Sequence, residues 1–316
     1  MRNWNRAGAL LASVLMVLGL AACGGSRGGE AFSPPVQESQ PSQAAQSSQS
    51  VPSSAGEAKT GEGSGSGEAS SGGAGENAAQ ETGLIANQIL ESREGPIHYS
   101  YYLPEGYGDG RTYPLMVVMP GYDRMWFGEE SEGSNLDWNG FQVWTQLEEE
   151  MIVVSAQLTD WGETSARQAN LLTHYFLENF DVDPARVYGA GYSAGGETMS
   201  QAVSLEPDLY AAYLHGSSQW DGGYEPLAQS GVAVYIFMAE NDEYYGSQRA
   251  RDAYESLLAA YEAAGRTQEE ARRLLRLDIR EDSYFNSLGI TNYHGGGSVL
   301  FNEESIQNWV LEQRRQ

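Results

Sequence analysis

The chain has 316 residues, 41% of them apolar, which is enough for one domain of ordinary size with residues to spare. Its formal net charge is −25 and Lys59 is its one lysine, a balance that excludes a protein built to cover nucleic-acid phosphates. A single cysteine, Cys23, excludes an internal disulfide framework and a cysteine-ligated zinc.

Arg2 and Arg6 precede an apolar run, Ala7 to Ala22, which has signal-peptide length and falls short of the roughly 20 apolar residues a spanning helix needs. The run ends in LAAC, Leu20 to Cys23, which resembles the lipobox of bacterial lipoproteins. The resemblance implies a signal peptide over 1–22, acylation of Cys23, and a lipid anchor that holds an extracytoplasmic domain at the bacterial cell envelope. Between Gly24 and Thr82 large apolar residues are nearly absent, as in TGEGSGSGEASSGGAGENAAQETG. No buried surface would offset the entropy of ordering such a segment, so 23–82 is predicted to be a disordered Ser/Gly/Glu-rich tether. The remaining stretch, 83–316, carries 36 acidic and 14 basic residues, so the acidity belongs to the predicted folded domain.

Within that domain, strand-like apolar runs occur at His98 to Leu103, Leu115 to Met119, Met151 to Ser155, Arg186 to Ala190, Tyr210 to Leu214 and Val232 to Met238. Helical periodicity separates them. SARQANLLTHYFLENF places Leu171, Leu172, Tyr175 and Phe176 on one face and has Ser165 and Gln168 at capping-box spacing. SQRARDAYESLLAAYEAAG aligns Ala253, Leu257, Ala260 and Tyr261 and stops at Gly265. A last helix is predicted from Asn302, where Glu303 and Glu304 suit the positive end of its dipole. Short apolar strands alternating with helices predict an α/β fold, a mostly parallel central sheet with helices on both faces.

The stretch DVDPARVYGAGYSAGGETM places Gly191-Tyr192-Ser193-Ala194-Gly195 between a strand and a helix, where a G-x-S-x-G turn presents its serine hydroxyl above the sheet. A serine hydroxyl needs a base, and the chain has four histidines. His98 falls in a strand and His174 in a helix, whereas His215 and His294 fall near loops that can face the cleft. The order nucleophile, acid, histidine favours His294. The acid then lies between them, after Val232 to Met238, where Asp242 has the short side chain suited to an imidazole and Glu240 is the runner-up. Oxyanion donors are expected from the N–H of Ala194 and, after PLMVVMPGY, from the N–H of Tyr122. Among the loop aromatics, Trp126 and Trp220 are expected to contact substrate. The pattern calls for no cofactor and no metal.

YYLPEGYGDGRTYPLMVVMPGY, DPARVYGAGYSAGG, MAENDEYYG and YHGGG…SIQNWV together resemble the α/β-hydrolase superfamily, in particular its secreted polyhydroxybutyrate-depolymerase-like and feruloyl-esterase-like branch. Relatives often carry His-Gly at the oxyanion loop, where this chain has Pro120-Gly121. The resemblance implies an α/β-hydrolase fold over 83–316 with Ser193, Asp242 and His294 as catalytic triad. It implies a serine esterase acting on small or polymer-linked esters. A prolyl-oligopeptidase-like peptidase and a non-catalytic tethered binding protein are the alternatives.

Overall fold

The computed structural model describes residues 82–315; the expectations for 1–22, for Cys23 and for the tether up to residue 81 lie outside the described residues. Eight strands among the described residues form one sheet: β1 (Gly83–Leu90), β2 (Ile97–Leu103), β3 (Tyr113–Met119), β4 (Ile152–Gln157), β5 (Val182–Tyr192), β6 (Ala212–Gly216), β7 (Ala233–Ala239) and β8 (Leu275–Arg280). Their order is β1-β2-β4-β3-β5-β6-β7-β8. From β4 across to β8 all neighbours are parallel, and β1 and β2 add an antiparallel edge. This is the α/β-hydrolase fold.

Both faces of the sheet are covered, which is why β3, β4 and β7 are buried along their whole length and are mostly apolar, with Ser155 and Gln157 the polar exceptions on β4. Alternate side chains of β3 serve opposite cores, Leu115, Val117 and Met119 on one face and Met116 and Val118 on the other. Helices Glu163–Asn179, Ala194–Leu205 and Ser247–Ala263 send Phe176, Val203 and Leu257 into the first core. Trp144, Phe301 and, from helix Glu304–Leu311, Ile306 and Val310 fill the second.

Three local expectations are corrected. Helix Glu163–Asn179 begins two residues before Ser165 and has no side-chain cap; the Ser165 hydroxyl donates to Asp160 Oδ1 at 2.7 Å, so the capping-box spacing of Ser165 and Gln168 carries no cap. The last helix starts at Glu304 because residues Gly297–Asn302 take a tighter 3₁₀ turn first. Strands β1 and β8 were not among the predicted strands. β1 is interrupted by a bulge between Ile85 and Gln88, with Asn87 at φ +57°, and β8 is an edge strand with mixed polarity.

Because β3, β5 and β7 are parallel, their carboxyl ends lie on one side of the sheet. The loops that leave them carry Tyr122, Ser193 and Asp242 respectively.

Candidate active site

The turn from β5 into helix Ala194–Leu205 is sharp enough to hold Ser193 at φ +53°, ψ −127°, a region L-residues rarely occupy. Glycine is needed at its flanks. A Cβ on Gly191 would stand 2.5 Å from the Gly195 carbonyl oxygen, and one on Gly195 would collide with the backbone carbonyl of Met119. The strained residue is held from both sides: its N–H donates to the Gly216 carbonyl at 3.1 Å, and its carbonyl accepts from the Ser218 hydroxyl at 2.7 Å.

Ser193 Oγ lies 3.0 Å from Nε2 of His294, and Nδ1 of His294 lies 2.9 Å from Oδ2 of Asp242. The three side chains, from three separate loops, therefore form one hydrogen-bonded chain. The other Asp242 oxygen accepts the N–H groups of Tyr244 at 3.0 Å and Tyr245 at 2.8 Å. Burial by itself would raise the Asp242 carboxyl, but the hydrogen bonds from His294 and from the Tyr245 N–H outweigh it and hold the group below the usual carboxylate range. A fixed anion at Nδ1 orients the ring so that Nε2 faces the serine hydroxyl.

Two residues beside this chain hold the backbone of His294. Tyr192, next to Ser193 in sequence, is buried and donates its phenolic O–H to the His294 carbonyl. Glu243, next to Asp242, accepts the His294 N–H at 2.7 Å and the Tyr293 N–H at 2.9 Å. Burial would raise Glu243, and these two N–H groups more than compensate and bring it down. The histidine peptide is thus gripped at its C=O by the neighbour of the serine and at its N–H by the neighbour of the aspartate.

The N–H groups of Tyr122 and Ala194 are each the first of a helical turn and so have no acceptor within it. The β3 loop comes close to the serine: a Cβ on Gly121 would be 3.4 Å from Ser193 Cβ. A cavity of about 790 Å³ opens over these groups and is lined by Tyr122, Ser193, Ala194 and His294. Trp138, Trp161 and Tyr244 supply aromatic walls, and Tyr122 meets Trp161 edge-on at 5.7 Å. On its floor Glu197 accepts the Tyr245 phenol at 2.5 Å; burial pushes this carboxyl above the usual range against that hydrogen bond.

Trp126 and Trp220 do not line the cavity, which corrects their expected role. Trp126 stacks on His98 with ring centroids 3.5 Å apart, and Trp220 packs against Tyr213, His215 and Tyr224 while its Nε1–H donates to the Gly222 carbonyl. Their side chains turn toward the sheet because ring partners on β2 and β6 lie there. His215 is fully buried and bonds through Nδ1 to the Tyr213 hydroxyl at 2.7 Å; burial pushes its imidazole down to about 4. Glu240 is exposed beyond β7. Tyr192, Glu243, Glu197 and Tyr245 were missed as site residues, although the first two adjoin motif positions.

A proton on Ser193 has a base within reach, that base has a fixed anion behind it, and two free N–H groups lie at the same rim. Such an arrangement suits acyl transfer through a serine. Among the described residues no group of three or more His, Cys, Asp or Glu side chains is arranged to hold a metal ion. Residues 155–274 match the model of the prolyl oligopeptidase family, a stretch that includes Ser193 and Asp242 and ends before His294. No curated protein matches the chain. Among solved structures, a thermostable esterase is similar with 20% identity and a TM-score of 0.60 over 73% of this chain and 63% of its own. This chain therefore spans less than two thirds of that esterase's length. A ferulic acid esterase is similar with 14% identity and a TM-score of 0.50 over 73% of this chain and 99% of its own. Likeness at these identities is likeness of fold.

Proposed function

We propose that this chain, a serine hydrolase of the α/β-hydrolase superfamily, cleaves carboxylic esters through an acyl-enzyme on Ser193. In this reading Ser193 Oγ attacks the ester carbonyl while His294 Nε2 takes its proton. Asp242 stabilises the imidazolium and keeps its own charge. The N–H groups of Ala194 and Tyr122 receive the oxyanion, a contribution of about 3 kcal/mol per donor. His294 then returns the proton to the departing alkoxide, and water, activated by the same imidazole, releases the acid.

The observation that carries the proposal is the unbroken Ser193–His294–Asp242 hydrogen-bond chain at the edge of an aromatic-walled cavity. Flat rings on those walls suit aryl or sugar groups of an ester. The fold likeness to a thermostable esterase and to a ferulic acid esterase favours ester chemistry. Hydrolysis of p-nitrophenyl acetate by the purified chain tests the proposal. The expected result is turnover that falls by about 10⁵-fold or more in Ser193→Ala; equal turnover in that variant overturns the mechanism.

Peptide-bond cleavage is the second reading, favoured by the prolyl oligopeptidase match over 155–274. A panel pairing each ester with the corresponding amide separates the two, since a peptidase turns over the amides as well. We also propose, from the lipobox-like LAAC, that Cys23 is acylated and the domain is held at the outer side of a bacterial membrane. Metabolic labelling with an alkynyl fatty acid, lost in Cys23→Ala, is the expected signature.

A further inference from the structure

We infer that a second cavity, at the opposite end of the sheet from Ser193, binds a phosphate group. It has a volume of about 630 Å³ and is lined by Ala211 and Ala233, where β6 and β7 begin, and by Arg266, Arg273, Arg314 and Arg315. Ser193 follows the carboxyl end of the parallel strand β5, so the two cavities are separated by the length of the sheet.

The arginines are notable because acidic residues outnumber basic ones, 36 to 14, in this domain. With so many carboxylates available, a guanidinium readily finds a partner. Yet Arg249, Arg251, Arg266, Arg272, Arg276 and Arg315 have no ion pair among the described residues. Four of these six (Arg266, Arg272, Arg276 and Arg315) belong to the segments around this cavity: the turn after helix Ser247–Ala263, helix Gln268–Leu274, the start of β8, and the C-terminal residues. Two of the four, Arg266 and Arg315, line the cavity itself. The pairs made by its other two arginines are weak: Arg273 meets Glu269 on the open surface, with the side chains 71% and 78% exposed, and Arg314 reaches Asp183 at 3.5 Å. One carboxylate lines the cavity, Glu270; it accepts the Thr267 N–H and hydroxyl, each at 2.8 Å, and the charges of Arg273 and Arg266 also help to lower its pKa.

The site is also built. The Arg266 guanidinium donates to the Ala228 carbonyl and lies 5.3 Å from the centroid of the Tyr261 ring. Gly231, at φ +75°, leaves the space beside it that a Cβ would fill. The Arg315 N–H donates to the Ala185 carbonyl at 2.9 Å, which fixes the C-terminal segment. Four guanidinium-bearing side chains line this one cavity, and each can donate two parallel bonds to the oxygens of a phosphate. The cavity admits a pyrophosphate or a phosphorylated headgroup. The shared chemistry is a phosphate, carried by a membrane lipid headgroup or by a soluble phosphate ester.

The test uses the full chain with Cys23→Ala, so that no acyl group contributes, and reads vesicle binding as the increment that phosphatidylglycerol adds, so that the apolar run Ala7 to Ala22 cancels. Calorimetric titration with sodium pyrophosphate forms one arm, and co-sedimentation with phosphatidylcholine vesicles, with and without phosphatidylglycerol, forms the other. Binding in either arm is expected to weaken about tenfold or more in Arg273→Gln/Arg315→Gln, to be unchanged in Arg251→Gln, and to fall with added salt. Pyrophosphate binding alone assigns a soluble ligand; binding to phosphatidylglycerol vesicles that pyrophosphate displaces assigns a lipid headgroup. No binding in either arm, or binding that the double substitution leaves intact, overturns the inference. Hydrolysis of p-nitrophenyl acetate is expected to be the same in all these variants, so this test stands apart from the ester-hydrolase proposal.

Discussion

Replacing Tyr192 by Phe removes one oxygen atom and nothing else from the grip on His294. The ring would stay in place, 5% exposed and 6.0 Å from the imidazole, while the His294 carbonyl would lose the phenol and keep the Gly297 N–H as its donor. Removing one hydrogen bond from a carbonyl that keeps another donor costs about 0.5–1.5 kcal/mol. Glu243 would still hold the N–H side of the same peptide, so the loop would shift rather than detach. If most of that loss appears as misalignment of Nε2 from Ser193 Oγ, kcat falls about 2–10-fold. KM is expected to change by less than about threefold, because the substrate-facing surface of the cavity keeps its shape. Steady-state kinetics on p-nitrophenyl acetate, with thermal unfolding of the same preparations, measure both quantities. A variant that loses stability but keeps its kcat would refute the reasoning, since the phenol would then be a packing element with no hold on the base.

Two further substitutions probe the buried polar groups. Asp242→Asn is expected to lower kcat by about 10⁴-fold, as amides do at the acid position of such triads. Because the folded state holds Asp242 below its ordinary 3.8, its contribution to stability is present above that pH and is lost as pH falls through the lowered value. The stability gap between the native chain and this variant should therefore shrink from pH 7 to below pH 3.8; a constant gap contradicts the assignment. For His215 the pH slope has the same sign, although the cause differs, since burial disfavours its charged form. Its imidazole is pushed from 6.5 to about 4 by burial, so the unfolded chain takes the proton first as pH falls. The native protein should lose about 3 kcal/mol between those values on this account, and His215→Gln, which keeps a donor toward Tyr213, should lose correspondingly less. Parallel pH–stability curves would exclude it.

What the sequence disclosed follows from how local each constraint is. Gly191 and Gly195 announce the turn at Ser193 because the required backbone approach leaves no room for a side chain, and that requirement is written in adjacent positions. Likewise the fully buried β7 and the short polar turn after it mark Asp242. The grip of Tyr192 on His294 joins residues 102 apart, and that of Glu243 joins residues 51 apart, so neither is visible until the loops meet in space. Trp126 and Trp220 show the converse. Their positions in the chain are right for a rim, but side-chain direction is set by the nearest ring partner, His98 in one case and the Tyr213–Tyr224 cluster in the other. Strand β8 carried a readable sign in LRLDIR, where Leu275, Leu277 and Ile279 alternate with charged residues as an edge strand does.

The central claim, that Ser193 is an activated nucleophile, is tested most directly by a fluorophosphonate probe and mass mapping of the adduct. The account predicts a single stoichiometric adduct on the peptide that contains Ser193, abolished in Ser193→Ala and slowed in Asp242→Asn. A native protein that takes up no label, or takes it up at another residue, would contradict it.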